Sequence, residues 1–156
     1  MPATTIVSDV MTGEVAVIGA DATVAVAADR MAELGVSALP VVDRDRHLLG
    51  LLRDDDLIVS EARLHAPQFF NVLGATIPFP GEMRHLEEEL RKVAGSTVDD
   101  VMQHDPVVVN VDDTVEDVAT LMHDEDVRHV PVVDRDGQVV GIVTRGDLVR
   151  FIARTT

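Results

Sequence analysis

Slid by 91 positions without a gap, Val7–Ile58 falls on Val98–Val149, and 20 of the 52 pairs are identical. VMT falls on VMQ, DATV on DDTV, LPVVDRD on VPVVDRD, and GLLRDDDL on GIVTRGDL. Self-similarity at one offset constrains the fold more than any local propensity, because one supersecondary unit must then occur twice. A unit of about 50 residues is near the size at which burial becomes marginal, so the copies are expected to pack together.

The unit reads most clearly in Val127–Leu148, VRHVPVVDRDGQVVGIVTRGDL. Two apolar runs, Val130–Val133 and Val139–Val143, flank Asp134-Arg135-Asp136-Gly137. This predicts a hairpin whose turn places Gly137 at positive φ. Thr144 then opens a helix reaching about Ala153, and Asp147 sits three residues on. That spacing predicts a capping box, in which the hydroxyl accepts from the first helical amides and the carboxylate reciprocates.

Upstream, Pro106–Val111 predicts a strand, and Thr114 caps a helix burying Val115, Val118, Ala119 and Met122. The first copy repeats the plan. A helical turn at Val7–Met11 and a strand at Val15–Ile18 precede a helix marked by Asp21-Ala22-Thr23. Its apolar positions, Val24, Ala27, Ala28, Met31 and Leu34, are spaced to bury one face. A hairpin of Val36–Val42 and Leu48–Leu52 follows, then a helix from Asp54 to about Arg63. The predicted class is α/β (α+β), as two β-α-β-β-α repeats.

Glu61 to Thr97 has no counterpart elsewhere. With the second helix counted in the first copy, the boundaries are 7–63 for repeat 1, 64–97 for the connection and 98–154 for repeat 2. The connection holds Phe69, Phe70 and Phe79, then a charged helix near 81–94 with Met83, Leu86, Leu90 and Val93 on one side. It reads most simply as a long connection tucked against the core. A lid over a site or a dimer-contact arm is the functional alternative, since apolar loop residues cover something.

A formal charge of −15 opposes binding to nucleic acid or to an anionic membrane surface. No stretch approaches the roughly 18 apolar residues of a membrane span, and no basic-then-apolar leader opens the chain. Without cysteine there is no disulfide, thiolate metal site or cysteine nucleophile, and a cytoplasmic location is the default expectation. The six histidines show neither HxxxH nor HxH spacing, so no metal site is expected. No nucleophile elbow or Walker sequence is present, so no enzyme is expected.

The repeated pattern DVM…TV…A…M…V-x-x-(L/V)PVVD, ending in GLLRDDDL and GIVTRGDL, resembles the CBS domain, and the tandem resembles a stand-alone Bateman module. The resemblance covers each copy end to end. It implies repeats packed through their sheets about a pseudo-two-fold axis, with two clefts for adenosyl ligands, and a regulatory homodimer that acts on another protein. AMP, ADP, ATP and S-adenosylmethionine are the usual ligands; no cofactor is required, though Mg²⁺ could arrive with a nucleotide.

GIVTRGD matches the family's ribose-phosphate motif, which makes Asp147 the acceptor for ribose hydroxyls and Thr144 a phosphate donor. The likeness combines these with Arg128 and His129 from copy two, and with Ala16, Val36 and Ser37 from copy one as the adenine-facing side. Arg128 and His129 read equally well as a surface pair answering Asp124, Glu125 and Asp126. The second cleft would use Asp56, Arg53, Val107 and Val127. Here copy one departs from the motif: Arg53 stands where the hydroxyl belongs, and Asp54 and Asp55 crowd the turn against a phosphate. A structural or interaction module with vestigial clefts is therefore the alternative reading.

Overall fold

A computed structural model describes residues 4–57, 71–72, 75–76 and 96–155. The expected connection helix near 81–94, the three phenylalanines and the end of the helix beginning at 54 lie outside these residues. Strands β1 (Thr12–Gly13) and β2 (Ile18–Gly19) precede helix α1 (Val24–Leu34) and the hairpin β3 (Ala38–Val42) and β4 (Leu48–Arg53). Residues 54–57 are helical. The short strands β5 (Asn71–Val72) and β6 (Ala75–Thr76) pair with each other. The second repeat contains α2 (Val98–Val101), β7 (Gln103–His104), β8 (Val109–Asn110), α3 (Val115–Asp124), β9 (His129–Val133), β10 (Val139–Thr144) and α4 (Arg145–Thr155).

Both expected caps form: Thr23 Oγ1 accepts from the Val26 amide at 3.2 Å, and Thr114 Oγ1 from the Asp117 amide at 3.1 Å. Val24, Ala27 and Met31 of α1 are buried, as are Val115, Val118 and Met122 of α3. Gly137 takes φ +79 in the second hairpin turn; Arg46, its counterpart in the first, takes φ 65. The strands expected at Val15–Ile18 and Pro106–Val111 are shorter, at Ile18–Gly19 and Val109–Asn110.

Two four-stranded sheets form, in the orders β2-β3-β4-β7 and β1-β10-β9-β8. Each takes an edge strand from the other repeat. Thr12 and Gly13 pair with Ile142 and Gly141, while Gln103 and His104 pair with Leu51 and Gly50. Further reciprocal bonds tie the repeats, each the image of another at the 91-residue offset. The Val7 amide donates to Asp113 O and the Val98 amide to Ala22 O, both at 2.8 Å; at the hairpin turns, the Leu48 amide reaches Gly137 O and the Val139 amide Arg46 O. This is the pseudo-two-fold arrangement expected, with an exchange of strands that makes neither repeat complete alone.

Methionine side chains lock the exchange. A Cβ on Gly141 would stand 2.5 Å from Met11 Sδ, and one on Gly50 2.7 Å from Met102 Sδ. Glycine lets the exchanged turn lie directly on the strand. The cores follow the same plan: Leu39, Leu52, Ala27 and Met31 fill one, Val130, Val143, Val118 and Met122 the other. Between the sheets, Ala38 and Leu51 meet Ile142, and Val42 meets Val133 and Val139.

Candidate functional site

The turn from β10 into α4 carries the clearest polar geometry. The Asp147 amide donates to Thr144 Oγ1 at 3.2 Å, and the Thr144 amide donates to Asp147 Oδ2 at 2.9 Å. The capping box expected from the spacing is therefore present, and it fixes the carboxylate at the cleft floor. Asp147 is the one buried charged residue among those described, at 7 % exposure. Its other oxygen accepts from the Arg150 guanidinium, one turn along α4. Burying a carboxylate is costly unless it is paired and hydrogen-bonded, as it is here.

A cavity of about 410 Å³ lies over this floor. Ala16, Val36 and Ser37 line it from repeat 1, with Leu34 and Leu39 beside them; His129, Thr144 and Asp147 line it from repeat 2. Leu34 and Val36, large apolar residues at 48% and 40% exposure, form part of its wall. One apolar wall facing one small polar floor suits a flat ring carrying polar substituents.

Arg128 does not line this cavity. It lies in an adjoining, more polar groove of about 690 Å³ that crosses the pseudo-two-fold and also contacts Ser37, His129 and Thr144. Asp126 pairs there with Arg145 at 3.0 Å. Arg128 forms no ion pair among the described residues. Ser37 Oγ and His129 Nε2 share a hydrogen bond at 2.7 Å across the repeats. Burial holds His129 below the ordinary imidazole pKa.

The residues expected for a second cleft are distributed differently. Arg53 and Val127 line the larger groove, while Val107 packs against the repeat 2 core. Asp56 receives the Arg53 guanidinium at 3.0 Å and the Arg53 amide at 2.9 Å. The carboxylate half of the capping box thus survives in repeat 1, whereas the position of the Thr144 hydroxyl is taken by a cation folded onto the acid.

Asp43, Asp45 and His47 lie with ligand atoms within 4.8 Å of one another in the β3–β4 turn. Asp43 Oδ1 accepts the Asp45 and His47 amides, both at 2.9 Å, so turn geometry accounts for the grouping. Arg150 was not legible as a site residue, because repeat 1 has Val59 at the corresponding position.

The CBS domain family model matches residues 7–62 and 98–154. The chain belongs to the CBS domain family. This CBS pair is 34% identical over 128 residues to CBSX2, a chloroplastic CBS domain-containing protein of Arabidopsis thaliana, covering 80% of this chain and 52% of that protein. It is 30% identical over 149 residues to a CBS domain-containing protein of Dictyostelium discoideum, covering 96% and 92%. The chain spans about half the length of the Arabidopsis relatives CBSX1 and CBSX2, at 55% and 52%. A crystal structure of CBSX2 in complex with AMP matches with a TM-score of 0.74 at 29% identity, over 97% of this chain and 98% of that one. The CBS pair of MJ0100, in complex with 5′-methylthioadenosine and S-adenosyl-L-methionine, shares the fold with a TM-score of 0.73 at 21% identity, over 99% and 100%. Among the described residues, no helix is long and apolar enough to cross a membrane.

Proposed function

We propose that this CBS pair is a regulatory module that binds an adenosyl ligand, a nucleotide or S-adenosylmethionine, in the cleft between its repeats. The observation carrying this reading is the convergence, in one cavity, of the Thr144–Asp147 box and the apolar wall of Ala16 and Val36. CBSX2, crystallised with AMP, supports the ligand class. The adenine lies against Ala16 and Val36, Asp147 accepts from the ribose hydroxyls, and Thr144 donates its hydroxyl hydrogen to the 5′ substituent. Arg128, Ser37 and His129 stand where that substituent enters the polar groove. Mg²⁺ arrives with a polyphosphate and is not held by the chain.

Regulation requires the ligand to bind two arrangements of the repeats or subunits with different affinity, and a partner protein reads the change. The exposed apolar residues Val149 and Ile152 on α4 suit pairing into a homodimer, and the module works in the cytoplasm. The module itself catalyses nothing. The Arg53–Asp56 pair favours a second reading for the other cleft, as a vestigial site with a structural role.

A thermal-shift panel with AMP, ADP, ATP and S-adenosylmethionine tests the proposal. A ligand at about 100 times its dissociation constant adds roughly 2.7 kcal/mol and should raise Tm by several degrees. No shift with any of them at millimolar concentration favours the structural or protein-interaction reading.

A further inference from the structure

The groove beyond Thr144 is asymmetric in charge although the backbone around it is symmetric. The Asp54 amide donates to Ser37 O at 2.9 Å, and its image, the Arg145 amide, donates to Arg128 O at 3.1 Å. Asp54 and Asp55 therefore stand where perfect duplication would place Arg145 and Gly146. Both aspartates are exposed and line the groove with Arg128 and Thr144.

Two of the groove's cations are already matched: Arg53 by Asp56 and Arg145 by Asp126. Burial keeps His129 from adding positive charge at neutral pH. Arg128 lines the same groove as Asp54 and Asp55 and forms an ion pair with neither.

We infer that Asp54 and Asp55 act as a charge filter, making the cleft selective for an adenosyl 5′-monophosphate over the triphosphate. This rests on the adenosyl reading above. A first phosphate at Thr144 meets a hydroxyl and the start of an 11-residue helix, which favour an anion. Further phosphates must extend along the groove, towards the aspartate lip. At a solvent-exposed lip each added charge is repelled only modestly, yet two acids acting on two more phosphates together reduce affinity about tenfold at low salt.

The test is calorimetric titration of AMP, ATP and S-adenosylmethionine, without Mg²⁺, into wild type and an Asp54→Asn/Asp55→Asn double variant. AMP should bind wild type about tenfold tighter than ATP, and the double variant should close most of that gap by strengthening ATP. S-adenosylmethionine, which bears no phosphate, should gain nothing from neutralisation. If ATP and AMP bind wild type equally, or the gap persists in the variant, the filter is overturned while the adenosyl reading stands. If no adenosyl compound binds either protein, both fall.

Wild type alone provides an independent check. Raising salt from low to about 0.5 M should narrow the gap between AMP and ATP, because repulsion is screened. A gap that widens with salt contradicts the filter.

Discussion

Ser37 Oγ and His129 Nε2 share a 2.7 Å hydrogen bond that joins the loop before β3 to the first residue of β9 across the pseudo-two-fold. Its histidine is held below the ordinary imidazole pKa, first by burial and then by Arg53 and Arg128; Asp54 and Asp55 act in the opposite direction. The link between repeats is therefore made with a neutral ring at the junction of the apolar cavity and the polar groove.

That placement makes stability depend on pH with a definite sign. The unfolded chain takes up a proton at His129 near pH 6.5, whereas the folded chain resists until a lower pH. The contribution is complete above about pH 6.5 and is lost as pH falls from there through the lowered folded value. In urea unfolding at pH 7.5 and 5.5, His129→Gln should reduce the loss of stability seen in wild type. The same loss in both proteins contradicts the assignment.

Gly141 should not tolerate alanine. Its Cβ would meet Met11 Sδ at 2.5 Å and the Thr12 carbonyl oxygen at 2.9 Å, where β1 crosses onto β10. Gly141→Ala is expected to cost about 1–3 kcal/mol in denaturant unfolding. Gly13→Ala, with nothing within 4 Å of its Cβ, should stay within about 0.5 kcal/mol of wild type. Equal costs for the two would remove the close-approach argument.

Thr144→Ala removes the hydroxyl that accepts from the Asp147 amide and should cost about 0.5–2 kcal/mol without any ligand. Thr144→Ser keeps the acceptor and should recover most of that loss. A threonine-to-alanine variant that unfolds like wild type would show that the helix start does not depend on this cap.

The duplication was legible because the 91-residue offset preserves both the apolar runs and the capping threonines, whereas the pseudo-two-fold packing of the copies followed only from the resemblance to the CBS family. The Thr144–Asp147 box was legible for a similar reason: its partners are three residues apart, and local spacing decides whether they meet. The strand exchange was not. Thr12–Gly13 and Gln103–His104 are two residues each, too short to show period-two alternation, and their partners lie far away in sequence. Leu34 and Val36 illustrate another limit: apolar spacing assigns a residue to a face or strand but does not distinguish a core position from a cavity wall. Arg150 was hidden for a different reason: repeat 1 has Val59 at the corresponding position, so the duplication did not mark it.

Calorimetric titration of AMP into wild type and Asp147→Ala asks whether the cavity between the repeats is a working adenosyl site built on Asp147. Circular dichroism on both proteins establishes that the variant is folded. The prediction is saturable binding in wild type at one site per chain, weakened at least about tenfold by loss of a charge-assisted acceptor for the ribose. A folded Asp147→Ala variant that binds AMP with wild-type affinity would contradict it.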